Sequence, residues 1–209
     1  MTRVLAFVNL KGGSAKTTCA AFVAHALAAL GLRVCVVDAD PQGSTLEWHG
    51  LAEWNLPVLG LPSNMLHRQL WGVVDRSKFD VVVIDSPPLE EREGIVYSIL
   101  RVATDVLVPM APTPIEHGRL AAVWRAIDAA EAFHDVDRLV AVLLNRAVAN
   151  AASTKTYREL IQEDGHRVME QAVPRLELYA QAFGEPVPAD DPAFGKVAGE
   201  LEREWKVAA

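Results

Sequence analysis

The sequence has little of what would announce several protein classes. Two cysteines in 209 residues, Cys19 and Cys35, are too few for a disulfide-built scaffold. Their places in an expected helix and strand favour free buried thiols in a reducing compartment. Aromatic residues make up only 7% of the chain. With an aliphatic-rich composition, this argues for helices laid on buried parallel strands rather than a β-sandwich. Positive charge is not in excess: the net charge is −7, so bulk composition points neither to nucleic acid nor to a membrane surface. The long apolar run from Cys19 to Leu30 is interrupted by His25 and too short to span a bilayer, and the opening residues lack a signal-peptide pattern. A cytoplasmic protein is the expectation. No repeat or low-complexity linker divides the chain, so one domain is expected over residues 1–209, burying about 70% of its unfolded surface.

What is present begins at Asn9. The stretch Asn9 to Thr18 reads N-L-K-G-G-S-A-K-T-T, after the apolar run Val4 to Val8 and before the apolar run that starts at Cys19. A strand, a glycine-bearing loop and a helix start in that order form an anion site, because unpaired N–H groups and the positive end of the helix dipole converge there. Lys16 adds a point charge suited to outer phosphates, and Thr17 a hydroxyl suited to Mg²⁺. The common pattern G-x-x-x-x-G-K-[ST] fails at Leu10 and Ala15. In its place stand Gly12, Gly13 and a further lysine, Lys11, ahead of the loop.

The rest of the chain supports an α/β fold. Arg3 to Asn9, Arg33 to Val37, Phe79 to Ile84, Asp105 to Val108 and Leu139 to Leu144 read as buried strands, with Pro57 to Leu61 a further short one and Met169 to Val173 an edge strand. Thr17 to Leu30 reads as a helix apolar almost all round, ending at Gly31 and packed on both sides. Further helices are expected over Met65 to Val74, Gly94 to Val102, Ile115 to Phe133 and Ser153 to Asp164, and a last one capped by Asp191. The second strand ends in D-A-D-P-Q-G-S-T. Asp38 and Asp40 at i and i+2 are expected on one side, both approaching a single Mg-nucleotide, with Ser44 or Thr45 capping a short helix. Asp85 ends the strand V-V-V-I, where ligands bind in open parallel sheets. The Trp and His residues between Trp48 and Trp71 show no metal-ligand spacing and read as packing or surface residues.

The loop Lys11 to Thr18, the Asp38/Asp40 pair and Asp85 together resemble the deviant Walker A group of P-loop ATPases, K-G-G-x-x-K-[ST], and within it the small ParA partition ATPases. D-x-D-P-Q-G-S, I-D-x-P-P, P-x-x-P-T-P and the tail V-P-R-L-E-L-Y-A-Q-A-F-G-E-P-V also look like that family, so the resemblance covers nearly the whole chain. It implies a single three-layer domain, a mostly parallel twisted sheet flanked by helices, holding ATP and Mg²⁺. The family's roles fall on residues of this chain as follows. Gly12, Gly13, Ser14 and Ala15 would cradle phosphates with Lys16 and Thr18, while Lys11 would reach the nucleotide of a partner subunit across a sandwich homodimer. Thr17, Asp38 and Asp85 would hold or support the metal, Asp40 would position the attacking water, and Asn145 would read the adenine edge beside Arg146.

The resemblance further implies a slow ATP hydrolase associated with the nucleoid. Such a protein dimerises on ATP, binds DNA non-specifically, and segregates a plasmid or chromosome with a centromere-binding, ParB-like or ParG-like adaptor. Arg158, Arg175, Lys196 and Arg203 are the candidate DNA contacts, although acidic residues outnumber basic ones after Ala151. The alternative cargo is a protein assembly such as a carboxysome or chemoreceptor cluster. A membrane-bound regulator resembling MinD fits less well, since G-E-L-E-R-E-W-K-V-A-A lacks a basic amphipathic face and no membrane partner is expected. Ala15 stands where the family usually has glycine, and its Cβ costs on the order of 1 kcal/mol if the position requires positive φ.

Overall fold

The computed structural model describes residues 2–134 and 138–207, and every element below lies within them. In chain order these are β1 (Arg3–Phe7), α1 (Lys16–Ala29), β2 (Val34–Asp38), α2 (Ser44–Ala52), β3 (Val58–Gly60), α3 (Leu66–Val73), β4 (Val81–Asp85) and α4 (Glu93–Leu100). They are followed by β5 (Asp105–Met110), α5 (Pro114–Glu131), β6 (Leu139–Leu144), α6 (Ser153–Glu163), β7 (Arg167–Val168), α7 (Glu177–Ala180) and α8 (Pro192–Val207). The strands form one sheet in the order β3-β2-β4-β1-β5-β6-β7, and every pairing is parallel. Parallel pairing demands crossover helices, and strands covered on both faces must be apolar throughout. Thus β2 and β4, V-C-V-V-D and V-V-V-I-D, are buried at every position.

Two apolar clusters flank the sheet and make the three layers. On one face Leu66, Leu70, Ile99, Leu120, Trp124 and Ile161 of α3 to α6 cover alternate strand residues such as Ala6, Ile84 and Val106. On the other, α1, Trp48 of α2 and the α8 residues Phe194, Val197 and Leu201 cover Leu5, Phe7 and Val83. The expected two-sided burial of α1 is met, because the sheet lies beneath it and α8 above. Cys19 and Cys35 are free and buried, and burial pushes their thiols up to about 12 and about 11.

Two local expectations are corrected. The edge strand lies at Arg167–Val168, short of the expected Met169 to Val173. Met169 and Val173 still donate their N–H groups to Val142 and Leu144 of β6, but those of Glu170 and Gln171 turn to the buried carboxylate of Glu200 at 2.7 and 3.1 Å, which ends the ladder. Neither Ser44 nor Thr45 caps α2. The residue before the helix is Gly43 in the left-handed region, φ 70°, with no side-chain cap. By contrast Asp191 does cap α8, accepting from the N–H groups of Ala193 and Phe194 at 3.0 and 2.9 Å.

Candidate functional site

The carboxyl ends of β1, β2 and β4 lie side by side, which is where an open parallel sheet offers its crevice. The loop after β1 starts from Asn9, whose buried amide donates to the Pro109 carbonyl at 2.6 Å and so ties the loop to the end of β5. From there the chain turns through Gly13 (φ 76°) and Ala15 (φ 67°, ψ 29°) into α1. Ala15 therefore does occupy the left-handed conformation in which a Cβ is costly. No side chain caps α1 and no acidic residue stands in its first turn, so its leading N–H groups and dipole are left for an anion.

Lys16 is the first residue of α1 and is 6% exposed. Its ammonium donates to the Lys11 carbonyl at 3.1 Å. Burial lowers its pKa, while Asp85, Asp40 and more distant glutamates oppose the shift. Gly12, Gly13, Lys16, Thr17, Thr18, Asp40, Ser86 and Arg146 line one recess of about 280 Å³. Lys11 is not part of that lining. Its ammonium is half exposed and lies 2.6 Å from the Glu90 carboxylate.

The acidic residues divide in a way the sequence did not predict. Asp85 is 1% exposed, and one of its oxygens accepts from Thr17 and from Thr45 at 2.8 Å each. Its other oxygen is buried with no partner among the described residues. Burial raises this carboxyl to about 7 against the lowering effect of the two hydroxyls. An orphaned carboxylate oxygen joined through its twin to a phosphate-loop hydroxyl fits a hydrated divalent cation, which supplies the missing positive charge and hydrogen-bond donors.

Asp38, paired in register with Asp85, is likewise 1% exposed, and both of its oxygens are taken by the main chain. Its oxygens accept from the N–H groups of Asp40 and Leu46 at 3.1 and 3.0 Å, so it stands in for the missing cap of α2. Burial raises its pKa while these main-chain donors oppose the rise. Of the pair, Asp40 lines the recess, while Asp38, like Asp85, lies behind its lining. The uncapped amides of α2 captured Asp38.

A second cleft of about 550 Å³ adjoins the loop, lined by Ala15, Thr18, Asn145, Arg146, Arg175 and Tyr179 among others. The Asn145 side-chain nitrogen donates to the Ser14 carbonyl at 3.0 Å, leaving its oxygen buried without a partner among the described residues. Asn9 and Glu90 went unassigned in the sequence, and Thr45 was expected only as a helix cap, because each acts on a partner far along the chain or on a neighbour whose role was itself open.

The candidate DNA contacts sit in different settings. Arg158 donates to the main-chain carbonyls of Met169 and Glu170, at 2.5 and 3.1 Å, and so braces the turn after β7. Arg203 lies 3.8 Å from the Glu170 carboxylate, Arg175 is exposed at the rim of the second cleft, and Lys196 is exposed on α8.

A wholly parallel sheet with a phosphate-cradling loop after its central strand, a basic residue at the helix start and an acid on the neighbouring strand defines a P-loop nucleotide-binding protein of the three-layer type. More narrowly, the chain belongs to the CobQ/CobB/MinD/ParA nucleotide binding domain family, whose profile matches residues 5–187. It is 29% identical to the maintenance of carboxysome distribution protein A of Gloeobacter kilaueensis, across 98% of this chain and 96% of that protein. A shorter match, 60% identical over 42 residues, covers 20% of this chain and 16% of the chromosome partitioning protein ParA of Caulobacter vibrioides. The solved cobyrinic acid a,c-diamide synthase of Mycobacterium smegmatis with bound ADP and magnesium shares the fold, with TM-score 0.78 and 24% identity over 100% of this chain and 97% of that one.

Proposed function

We propose that the protein is a slow ParA-type ATPase that dimerises on Mg-ATP, holds to DNA in that state, and positions a large cargo until hydrolysis dissolves the dimer. The observation that carries the reading is the division between the two lysines. Lys16 is buried inside its own phosphate recess, whereas Lys11 stands outside it and half exposed, as a lysine that serves the nucleotide of a second copy must. Phosphoryl transfer to water needs positioning and neutralisation of charge more than covalent chemistry. The loop amides and Lys16 hold the phosphates, and Lys11 of the partner completes the charge. Asp40 orders the water that attacks the terminal phosphorus as the bond to the bridging oxygen breaks. Thr17 and Asp85 are the residues that would hold Mg²⁺, which when bound neutralises charge on the phosphate oxygens; Asp38 supports them by fixing the backbone of β2 and α2. Asn145 selects adenine. Turnover below roughly 1 per second fits a switch whose site is complete only in the dimer.

The relative matched along nearly its full length is a carboxysome distribution protein, which favours a protein assembly as cargo over a replicon. The short match of higher identity to a chromosome partitioning protein keeps DNA segregation as the second reading. A membrane-bound reading is disfavoured, because the last helix, α8, turns Phe194, Val197, Leu201 and Trp205 into the core. The test is binding to DNA of arbitrary sequence with and without Mg-ATP across a salt series. Binding that needs ATP, falls steeply with salt and weakens when Arg175, Lys196 and Arg203 are changed to Glu is expected; no binding at low salt removes the DNA-holding step. Deleting the gene then separates the cargoes: misplaced assemblies with stable replicons favour the first, replicon loss the second.

A further inference from the structure

We propose that Glu90 is the in-subunit counter-ion of Lys11 and sets the protein concentration at which the ATP-bound chain pairs with a second copy of itself. The inference rests on the reading of Lys11 as a lysine delivered to a partner's phosphates. Glu90 is not a chance neighbour on a mobile turn. Its N–H donates to the Leu10 carbonyl at 3.1 Å, and the N–H of Leu89 donates to the Asn9 carbonyl at 3.1 Å, so the chain after β4 runs bonded alongside the start of the phosphate loop. Pro88 lies against Gly12, where a Cβ would stand 3.8 Å from its ring. This double attachment presents the Glu90 carboxylate to the Lys11 ammonium at 2.6 Å.

Both side chains stay partly open to solvent, at 43% and 35% exposure. The pair is therefore tight enough to select one Lys11 rotamer and weak enough to be exchanged. In the dimer, Lys11 must leave Glu90 for the phosphates of the other subunit. Two-fold symmetry makes this happen twice per dimer. Glu90 is thus a positioning residue that acts through Lys11.

The experiment measures dimer dissociation by sedimentation in saturating Mg-ATP for the wild type, Glu90→Gln, Lys11→Ala and the double variant. Glu90→Gln keeps size and shape at a half-exposed site, and thermal melting of each variant checks that folding is intact. Opening two half-exposed ion pairs corresponds to roughly 2- to 30-fold, so Glu90→Gln is expected to dimerise at a concentration lower by that factor. In the Lys11→Ala background the same change is expected to do nothing, which a general electrostatic or folding effect would not reproduce. Unchanged or weaker dimerisation of Glu90→Gln, or an equal gain without Lys11, overturns the proposal. A wild-type chain that binds ATP yet stays monomeric removes the reading of Lys11 beneath it, and is told apart from the other failures by needing no variant at all.

Discussion

The starts of α1 and α2 are nearly the same piece of backbone. Ala15 precedes α1 at φ 67°, ψ 29°, and Gly43 precedes α2 at φ 70°, ψ 23°, and neither helix has a side-chain cap at that residue. They differ in what meets their unpaired N–H groups. At α2 the carboxylate of Asp38 accepts from Leu46, so the positive end of the helix is neutralised from within. At α1 no acidic side chain stands in the first turn, and the helix opens on the recess that holds Lys16 and Asp40. A helix start of one geometry is structural when the protein supplies the anion and a ligand site when it does not. Sequence spacing reaches the second more easily than the first.

That contrast is open to being broken by substitution. The largest effect is expected from Lys16→Ala, which removes the one buried ammonium of the α1 site. ATP affinity, measured by isothermal titration calorimetry, should fall by roughly 10- to 100-fold, the range for a lost charged hydrogen bond. Next comes Asp38→Ala, which would leave the α2 start without its anion in a buried setting. A loss of about 1–3 kcal/mol in denaturant unfolding is expected, and a loss below 0.5 would show that α2 is satisfied in another way.

Two mirror changes probe the shared conformation itself. Gly43→Ala is expected to destabilise by about 1 kcal/mol through φ alone, since nothing lies within 4 Å of the added Cβ. Ala15→Gly is expected to stabilise by up to about 1 kcal/mol and to raise ATP turnover. Unchanged or lower turnover would show that the Ala15 methyl group does not crowd the terminal phosphate. The smallest effect belongs to Ser44→Ala, expected within about 0.5 kcal/mol because that hydroxyl caps nothing. A loss near 1 kcal/mol would restore the cap that the sequence suggested.

Much of the architecture was legible before any coordinates. Runs such as V-V-V-I-D declare strands buried on both faces, and such strands must be parallel and helix-covered, so the order of elements along most of the chain followed. Strand and helix bounds differ from expectation mainly by a residue or two at frayed ends. The exception at β7 came from Glu200, far along the chain, whose carboxylate claims the Gln171 N–H that would continue the ladder. The site shows the same division. Gly13 and Lys16 were readable because a phosphate loop is local, and their roles follow from neighbours in the chain. The brace of Arg158 on Met169 and Glu170 was not readable, because a guanidinium at the surface of α6 and one turned under it have the same sequence.

The sequence by itself determined that this chain would wrap a parallel sheet in helices and place a lysine-bearing anion loop after its first strand. Periodicity and loop chemistry are properties of neighbouring residues, and they survive without knowing where the chain goes next. Tertiary structure alone decided which oxygen of Asp85 is left free, that Thr45 shares the other with Thr17, that Asp38 accepts from the start of α2, and that Lys11 is held by Glu90. Each of those outcomes is a competition among buried donors and acceptors for partners brought together from distant strands. The cost of leaving one unpaired settles that competition, and that cost exists only once the core has closed around them.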